Sequence, residues 1–197
     1  MTNKKQELFE PCLIFNPSRV YLFTLFIGVS ASTPLTAKAD QLLLSLGMGS
    51  QPNSSQHNNQ FAVDYEFFEY ERSSRSRLSI GVSYTRLTTD AANNTLITAV
   101  SIYPQLTLTP IRESLRNTFF FVRALGPSYM SSNVLGDRKQ NYHFSFQAQV
   151  GVGYKKDLSN GNSLLFKASW KHFSNANLFH DNDGYDIPFV FTIGYSF

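Results

Sequence analysis

The residues best suited to chemistry cluster near the C-terminal end, in the stretch K-H-F-S-N-A-N-L-F-H-D-N-D-G-Y-D from Lys171 to Asp186. His172 and Ser174 stand two positions apart. On a β-strand they share a face, with Cα atoms about 6.5–7 Å apart, so an imidazole can reach a hydroxyl. That is the arrangement of a general base and a serine nucleophile. Carboxylates follow at Asp181, Asp183 and Asp186, any of which could orient the imidazole. The same loop, with His180, also resembles a cation-binding segment, but no second cluster of ligands accompanies it. The expected chemistry is therefore hydrolysis without a metal or cofactor.

Whether these groups meet depends on the elements that carry them. From Asp40 onward the chain shows no sustained 3.6-residue period, whereas alternation of period two recurs in segment after segment. In the last run the odd positions are Ile187, Phe189, Phe191, Ile193, Tyr195 and Phe197, against Pro188, Val190, Thr192, Gly194 and Ser196. Another run sets Tyr142, Phe144, Phe146, Ala148, Val150, Val152 and Tyr154 against His143, Ser145, Gln147, Gln149, Gly151 and Gly153. Eight such runs are readable: 41–50, 60–72, 77–89, 95–109, 118–130, 142–156, 163–177 and 187–197.

Alternation alone also suits a water-soluble sandwich. Three features favour an all-β, eight-stranded antiparallel transmembrane β-barrel. Several runs reach ten residues or more, the length of a tilted strand crossing hydrocarbon. Tyr and Phe gather toward run ends, as at Tyr65, Phe67, Tyr84, Tyr103, Tyr129, Tyr142 and Tyr154, where an aromatic girdle sits. The last run closes on Tyr195-Ser196-Phe197, a terminus of the kind outer-membrane barrels carry. With the ends of the chain on the periplasmic side, segments 51–59, 90–94, 131–141 and 178–186 face the exterior, and 73–76, 110–117 and 157–162 are inner turns.

In the seventh run the even residues Leu164, Phe166, Ala168 and Trp170 contrast with Leu165, Lys167, Ser169 and Lys171. Lysines belong in the interior, so the even face meets lipid, and His172 and Ser174 continue it. A polar pair on that face needs a reason, since it loses water without gaining packing. The alternation of the last run would turn Asp186 toward the lumen, away from His172. Pro188, which lacks a ladder donor, offers a bulge that would reset the parity. His143, Gln147 and Gln149 read as lumen filling, Gly81, Gly151, Gly153 and Gly194 as residues that make room in a narrow barrel, and Glu66, Glu69 and Glu71 with Arg75, Arg77 and Arg86 as interior or periplasmic charge pairs.

Lys4, Lys5 and Arg19 precede an apolar run from Val20 to Ala31 that is too short to span a bilayer as a helix. Ala37-Lys38-Ala39 then fits a signal peptidase, giving a leader over 1–39, export, and a single domain over 40–197. The one cysteine, Cys12, lies in that leader, so the exported chain owes nothing to disulfides. Charges of both signs are nearly balanced beyond it, and no basic patch interleaved with aromatics supports nucleic-acid binding.

The order His172-x-Ser174-Asn175-Ala176, then Asn182-Asp183-Gly184-Tyr185-Asp186, resembles the outer-membrane lipid A 3-O-deacylase (PagL) family, whose pattern is H-x-S-N-A-G and N-D-G-x-E at the same spacing. The resemblance is sharp over about fifteen residues and architectural elsewhere. It implies hydrolysis of the 3-O-linked acyl chain of lipid A in the cell outer membrane, with Ser174 as nucleophile, His172 as base and Asp186 as the orienting acid. It further implies oxyanion donors at Asn182 and near Asn177, and substrate-binding positions at Trp170 and Asn175. Two residues depart from the pattern: Asp186 replaces a glutamate, and Asn177 a glycine. Partners are then lipid A and outer-membrane lipids, with a homodimer left open. The rival reading is a non-enzymatic small barrel with a binding or structural role; a lipocalin-like carrier, more distant, should carry its large apolar residues inside.

Overall fold

A computed structural model describes residues 40–197; the expected leader, 1–39, lies outside the described residues. Eight long strands form the wall: β1 (Gln41–Ser50), β2 (His57–Ser73), β3 (Ser76–Thr89), β4 (Leu96–Leu108), β5 (Thr118–Met130), β8 (Phe144–Asp157), β9 (Ser163–Ser174) and β10 (Tyr185–Ser196). They close in the order β1-β10-β9-β8-β5-β4-β3-β2, each neighbour antiparallel. A two-stranded hairpin, β6 (Val134–Leu135) and β7 (Arg138–Lys139), lies within the third outer loop. The first and fifth runs coincide with β1 and β5. The seventh, expected to reach 177, stops at Ser174 because Ala176 and Asn177 take left-handed φ values of 55° and 59°, which no strand accommodates.

The face assignment follows the alternation. Phe166, Trp170, Phe144, Phe189 and Phe191 are exposed on the outer wall, whereas Leu165, Lys167 and Lys171 are buried inside. The lumen is filled in layers. At the inner-turn end Leu43, Phe119, Phe121 and Leu165 pack together; at the outer end Leu87, Ile97, Met130, Leu135, Phe173, Tyr185, Ile187 and Val190 do so, with Leu135 of the β6–β7 hairpin closing the mouth. Between them Arg123 donates to Asp64 at 2.6 Å, Glu66 at 3.1 Å and Gln105 at 3.0 Å, and Lys167 donates to Glu66 at 3.3 Å. Buried charges persist only when paired in this way. The barrel is narrow enough that a Cβ at Gly153 would come within 2.2 Å of the Phe119 ring, and one at Gly81 within 2.6 Å of the Tyr103 hydroxyl.

Four expectations need correction. Tyr103, expected in the aromatic girdle, is fully buried in the lumen, where the Arg123 guanidinium lies 3.7 Å from its ring centroid. Ile187, assigned by alternation to the lipid face, is fully buried. The register slips between Ile187 and Val190, so that Pro188 and Phe189 stand opposite the single residue Trp170, and the parity of β10 reverses across this bulge. His143 is exposed, not luminal; it stacks on Tyr129 at 5.8 Å with Nδ1 2.7 Å from the Met130 carbonyl oxygen. Arg86 is exposed on the outer face of β3 and does not join the interior pairs that Glu66 makes.

The outer wall therefore resists charge. Phe166→Arg should fold less completely in liposomes than Phe166→Leu, because an arginine on the lipid face costs roughly 2–4 kcal/mol at the bilayer midplane and less toward the interfaces. Wild-type folding yield for Phe166→Arg, measured by heat-modifiable gel mobility, would reverse the face assignment.

Candidate active site

The site occupies the outer ends of β9 and β10 and the loop 175–184 that joins them. Because of the bulge at Pro188, Asp186 sits directly opposite His172 in the ladder, and both point out of the barrel. Asp186 Oδ1 lies 2.9 Å from His172 Nδ1. A carboxylate can only accept, so this contact places the hydrogen on Nδ1 and leaves the Nε2 lone pair available. Of the carboxylates offered by the sequence, Asp181 and Asp183 instead face the third outer loop: Asp181 pairs with Lys139 at 3.4 Å, and Asp183 Oδ2 accepts from the Lys139 backbone amide at 2.8 Å.

Two further contacts fix the ring. Trp170, one step down the same face, stacks on His172 with centroids 5.3 Å apart and planes 18° from parallel. Gly184 packs close to the ring: it has φ 69°, and a Cβ there would come within 2.6 Å of His172 Cε1. Only glycine combines that backbone angle with that proximity. Ser174, partly exposed, extends the outward face two residues beyond His172 and stands opposite Phe146 of β8. Among the described residues no group, His172 included, hydrogen-bonds its hydroxyl.

The loop is held by its asparagines. Asn175 is fully buried; its Oδ1 accepts from the Asn177 backbone amide at 3.0 Å, and its Nδ2 donates to the Phe179 and Asp181 carbonyls at 3.3 and 3.5 Å. Asn182 Oδ1 accepts from the Asn175 amide at 2.9 Å, and Asn182 Nδ2 donates to Asn177 Oδ1 at 2.8 Å. Asn177, with φ 59°, occupies a left-handed position that asparagine tolerates better than most residues. Its side chain turns toward Asn182. Thus Trp170 and Asn175, expected at the substrate, are found stacked on the imidazole and buried beneath the loop. Among the described residues no group of three or more His, Cys, Asp or Glu side chains is arranged to hold a metal ion.

Several contributors were not visible in the sequence. Gln51 of the first outer loop hydrogen-bonds Asp186, and no local pattern pointed to it; only the β1–β10 register, with Met48 opposite Phe189, brings residue 51 to residue 186. A second Ser–His–Asp grouping was also missed. Ser50 Oγ lies 3.0 Å from His57 Nε2, and His57 Nδ1 lies 3.6 Å from Asp90. Its histidine and aspartate side chains are 61% and 58% exposed, against 24% and 11% for His172 and Asp186. In water a serine–histidine contact gains little, because solvent competes for each hydrogen bond.

The family model described as Lipid A 3-O-deacylase (PagL) matches residues 59–196, a span that includes His172, Ser174, Asn182 and Asp186. No curated protein matches the chain significantly. Among solved structures, the chain is similar to one titled crystal structure of the outer membrane enzyme PagL, at 19% identity and a TM-score of 0.52, over 79% of this chain and 97% of that one. A de novo designed transmembrane β-barrel is matched at 13% identity with a TM-score of 0.41, over 84% of this chain and all of the design.

The contact at Gly184 generates a specific expectation. Gly184→Ala should lower the rate of ester hydrolysis by roughly a hundredfold, the scale expected when a reacting group is displaced by about an ångström, while the barrel still folds. A wild-type rate for folded Gly184→Ala would show that the imidazole does not act from this position.

Proposed function

Because the chain belongs to the lipid A 3-O-deacylase (PagL) family, we propose that its reaction is carried by Ser174 as nucleophile, His172 as general base and Asp186 as the acid that orients the imidazole. The protein is an outer-membrane β-barrel enzyme that hydrolyses an ester of lipid A, the 3-O-linked acyl chain. The observation that carries the triad is the 2.9 Å contact between His172 and Asp186 on the lipid-facing wall, two residues from Ser174. A soluble hydrolase would enclose its site in a cleft; here the substrate is itself a component of the surrounding layer and arrives from the side.

In the first half-reaction His172 Nε2 takes the Ser174 proton as Oγ attacks the ester carbonyl carbon. The tetrahedral oxyanion collapses, the C–O bond to the sugar breaks, and the imidazolium returns its proton to the departing 3-hydroxyl oxygen. In the second, His172 takes a proton from water, the hydroxide oxygen attacks the acyl-serine, and the fatty acid leaves as Ser174 is reprotonated. Asp186 stabilises the imidazolium and holds its tautomer throughout.

Asn182 is the oxyanion donor in this reading. Its amide nitrogen carries two hydrogens, of which one reaches Asn177 Oδ1 and the second is available to substrate. The Asn177 backbone amide, which the resemblance would also assign to the oxyanion, donates to Asn175 Oδ1. Asn177 therefore contributes by orienting Asn182. Trp170 holds the imidazole with one face, and the acyl chain lies along the outer wall past Phe146, which is half-buried opposite Ser174.

Mass spectrometry of lipid A from cells expressing the protein tests the reading. Loss of the 3-O-acyl mass is expected for wild type and for Ser50→Ala, and no loss for Ser174→Ala. The reverse result would transfer the chemistry to the exposed Ser50–His57–Asp90 group. In purified enzyme, Asp186→Asn should lower turnover by orders of magnitude with the barrel folded. Asn182→Ala should lose roughly a hundredfold or more, as when one oxyanion donor is removed, whereas Asn177→Gly, which keeps the backbone conformation, should lose less. An equal loss in both would mean that Asn177 donates directly.

A further inference from the structure

Asp186 has two carboxylate oxygens, and the imidazole uses only one. The residue sits on the outer wall with 8% of its surface exposed. A second oxygen left bare there would lose its hydration without a replacement. It is not bare: Gln51 Nε2 donates to Asp186 Oδ2 at 3.1 Å, and Gln51 Oε1 accepts from the Asp186 backbone amide at 2.9 Å. One carboxamide thus grips both the main chain and the side chain of the same aspartate, closing a ring that removes the freedom of its χ1 rotation.

The orientation of that carboxamide is itself determined. Asn58 Nδ2 donates to Gln51 Oε1 at 2.7 Å and to the Asp186 carbonyl oxygen at 2.9 Å, and Gln56 Nε2 donates to Asn58 Oδ1 at 3.0 Å. Rotating Gln51 by half a turn would set its own N–H groups against two donors and its oxygen against a carboxylate. Gln51, Asn58 and Gln56 are 2%, 0% and 4% exposed. Burying three amide side chains is costly unless they are bonded, and the bonds of Gln51 and Asn58 converge on Asp186. All three precede residue 59, where the match to the family begins.

We propose that Gln51 is a positioning residue of the esterase, locked by Asn58, which holds the Asp186 carboxylate on His172; this rests on the triad proposed above. The need follows from the acid in this chain. An aspartate is one methylene shorter than the glutamate of the family pattern and has little reach with which to correct a misplaced oxygen. A fixed donor behind it supplies the missing definition.

A double-mutant cycle on the full chain in detergent, with lipid A as substrate and the folded fraction read by heat-modifiable gel mobility, tests this. Gln51→Ala should lower kcat roughly tenfold to a hundredfold, the range for a hydrogen bond to a charged group, with KM unchanged. Gln51→Glu keeps the size but sets a carboxylate against Asp186, and should lose at least as much. The same Gln51 substitutions in the Asp186→Asn background should cause no further loss, because the group they act through is gone. Should Gln51→Ala fail to fold, Gln51→Glu supplies the same cycle. Wild-type kcat in the Gln51 variants, or losses that multiply with Asp186→Asn, would overturn the positioning role while leaving the triad intact. Full activity of Asp186→Asn would overturn the triad and the positioning role together.

Discussion

Hydrocarbon offers no partner to an unpaired backbone amide, so a chain that crosses it in strands must close its ladder on itself. With eight strands that closure leaves an interior only wide enough for side chains, and here it is filled by two apolar layers around the Arg123, Asp64, Glu66 and Lys167 cluster. In the proposed reading catalysis takes place on the outer wall and its rim, where the substrate is a neighbouring lipid.

On such a wall, side chains belong to one of two faces, and a catalytic set must be recruited to the same one. His172 and Ser174 satisfy this through ordinary alternation on β9. Asp186 does not, because the parity of Phe189, Phe191 and Ile193 on β10 would carry it inside. The bulge at Pro188 and Phe189 inserts one residue opposite Trp170 and returns Asp186 to the outer face, at the cost of turning Ile187 inward. Ile187 is absorbed by the outer apolar layer with Phe173 and Tyr185. Bulges of this kind re-aim side chains beside functional sites, and here the re-aimed residue is the acid of the proposed triad.

The loop beyond the two strands is shaped by backbone conformation more than by packing. Ala176, Asn177, Asp181 and Gly184 all have positive φ, a concentration that depends on side-chain support. Asn175 supplies it from within, and the β6–β7 hairpin from beside, through Lys139, Arg138 and the Tyr185 hydroxyl that donates to the Asn133 carbonyl at 2.8 Å. Asn177 in place of glycine keeps the left-handed turn and adds an acceptor that orients Asn182. One turn thus ties three asparagines to one another and to the third outer loop.

Barrel class, strand number, the outward face of β9 and the presence of His172 and Ser174 on that one face were all legible in the sequence, because each rests on a local period of two or on spacing within one strand. The motif around Asn182-Asp183-Gly184 was legible as a resemblance, though not the reason for its glycine, which is proximity to a histidine on another strand. The choice of Asp186 over Asp181 and Asp183 came from the resemblance, and what sets this residue against His172 is the register of β9 and β10. The tertiary structure alone decided the inward turn of Ile187, the stacking of Trp170, and the approach of Gln51 and Asn58 to Asp186. The physical reason is closure: β1 and β10 become neighbours only when the sheet joins its ends, and no pattern within either segment records which residue of the first will stand opposite which residue of the last.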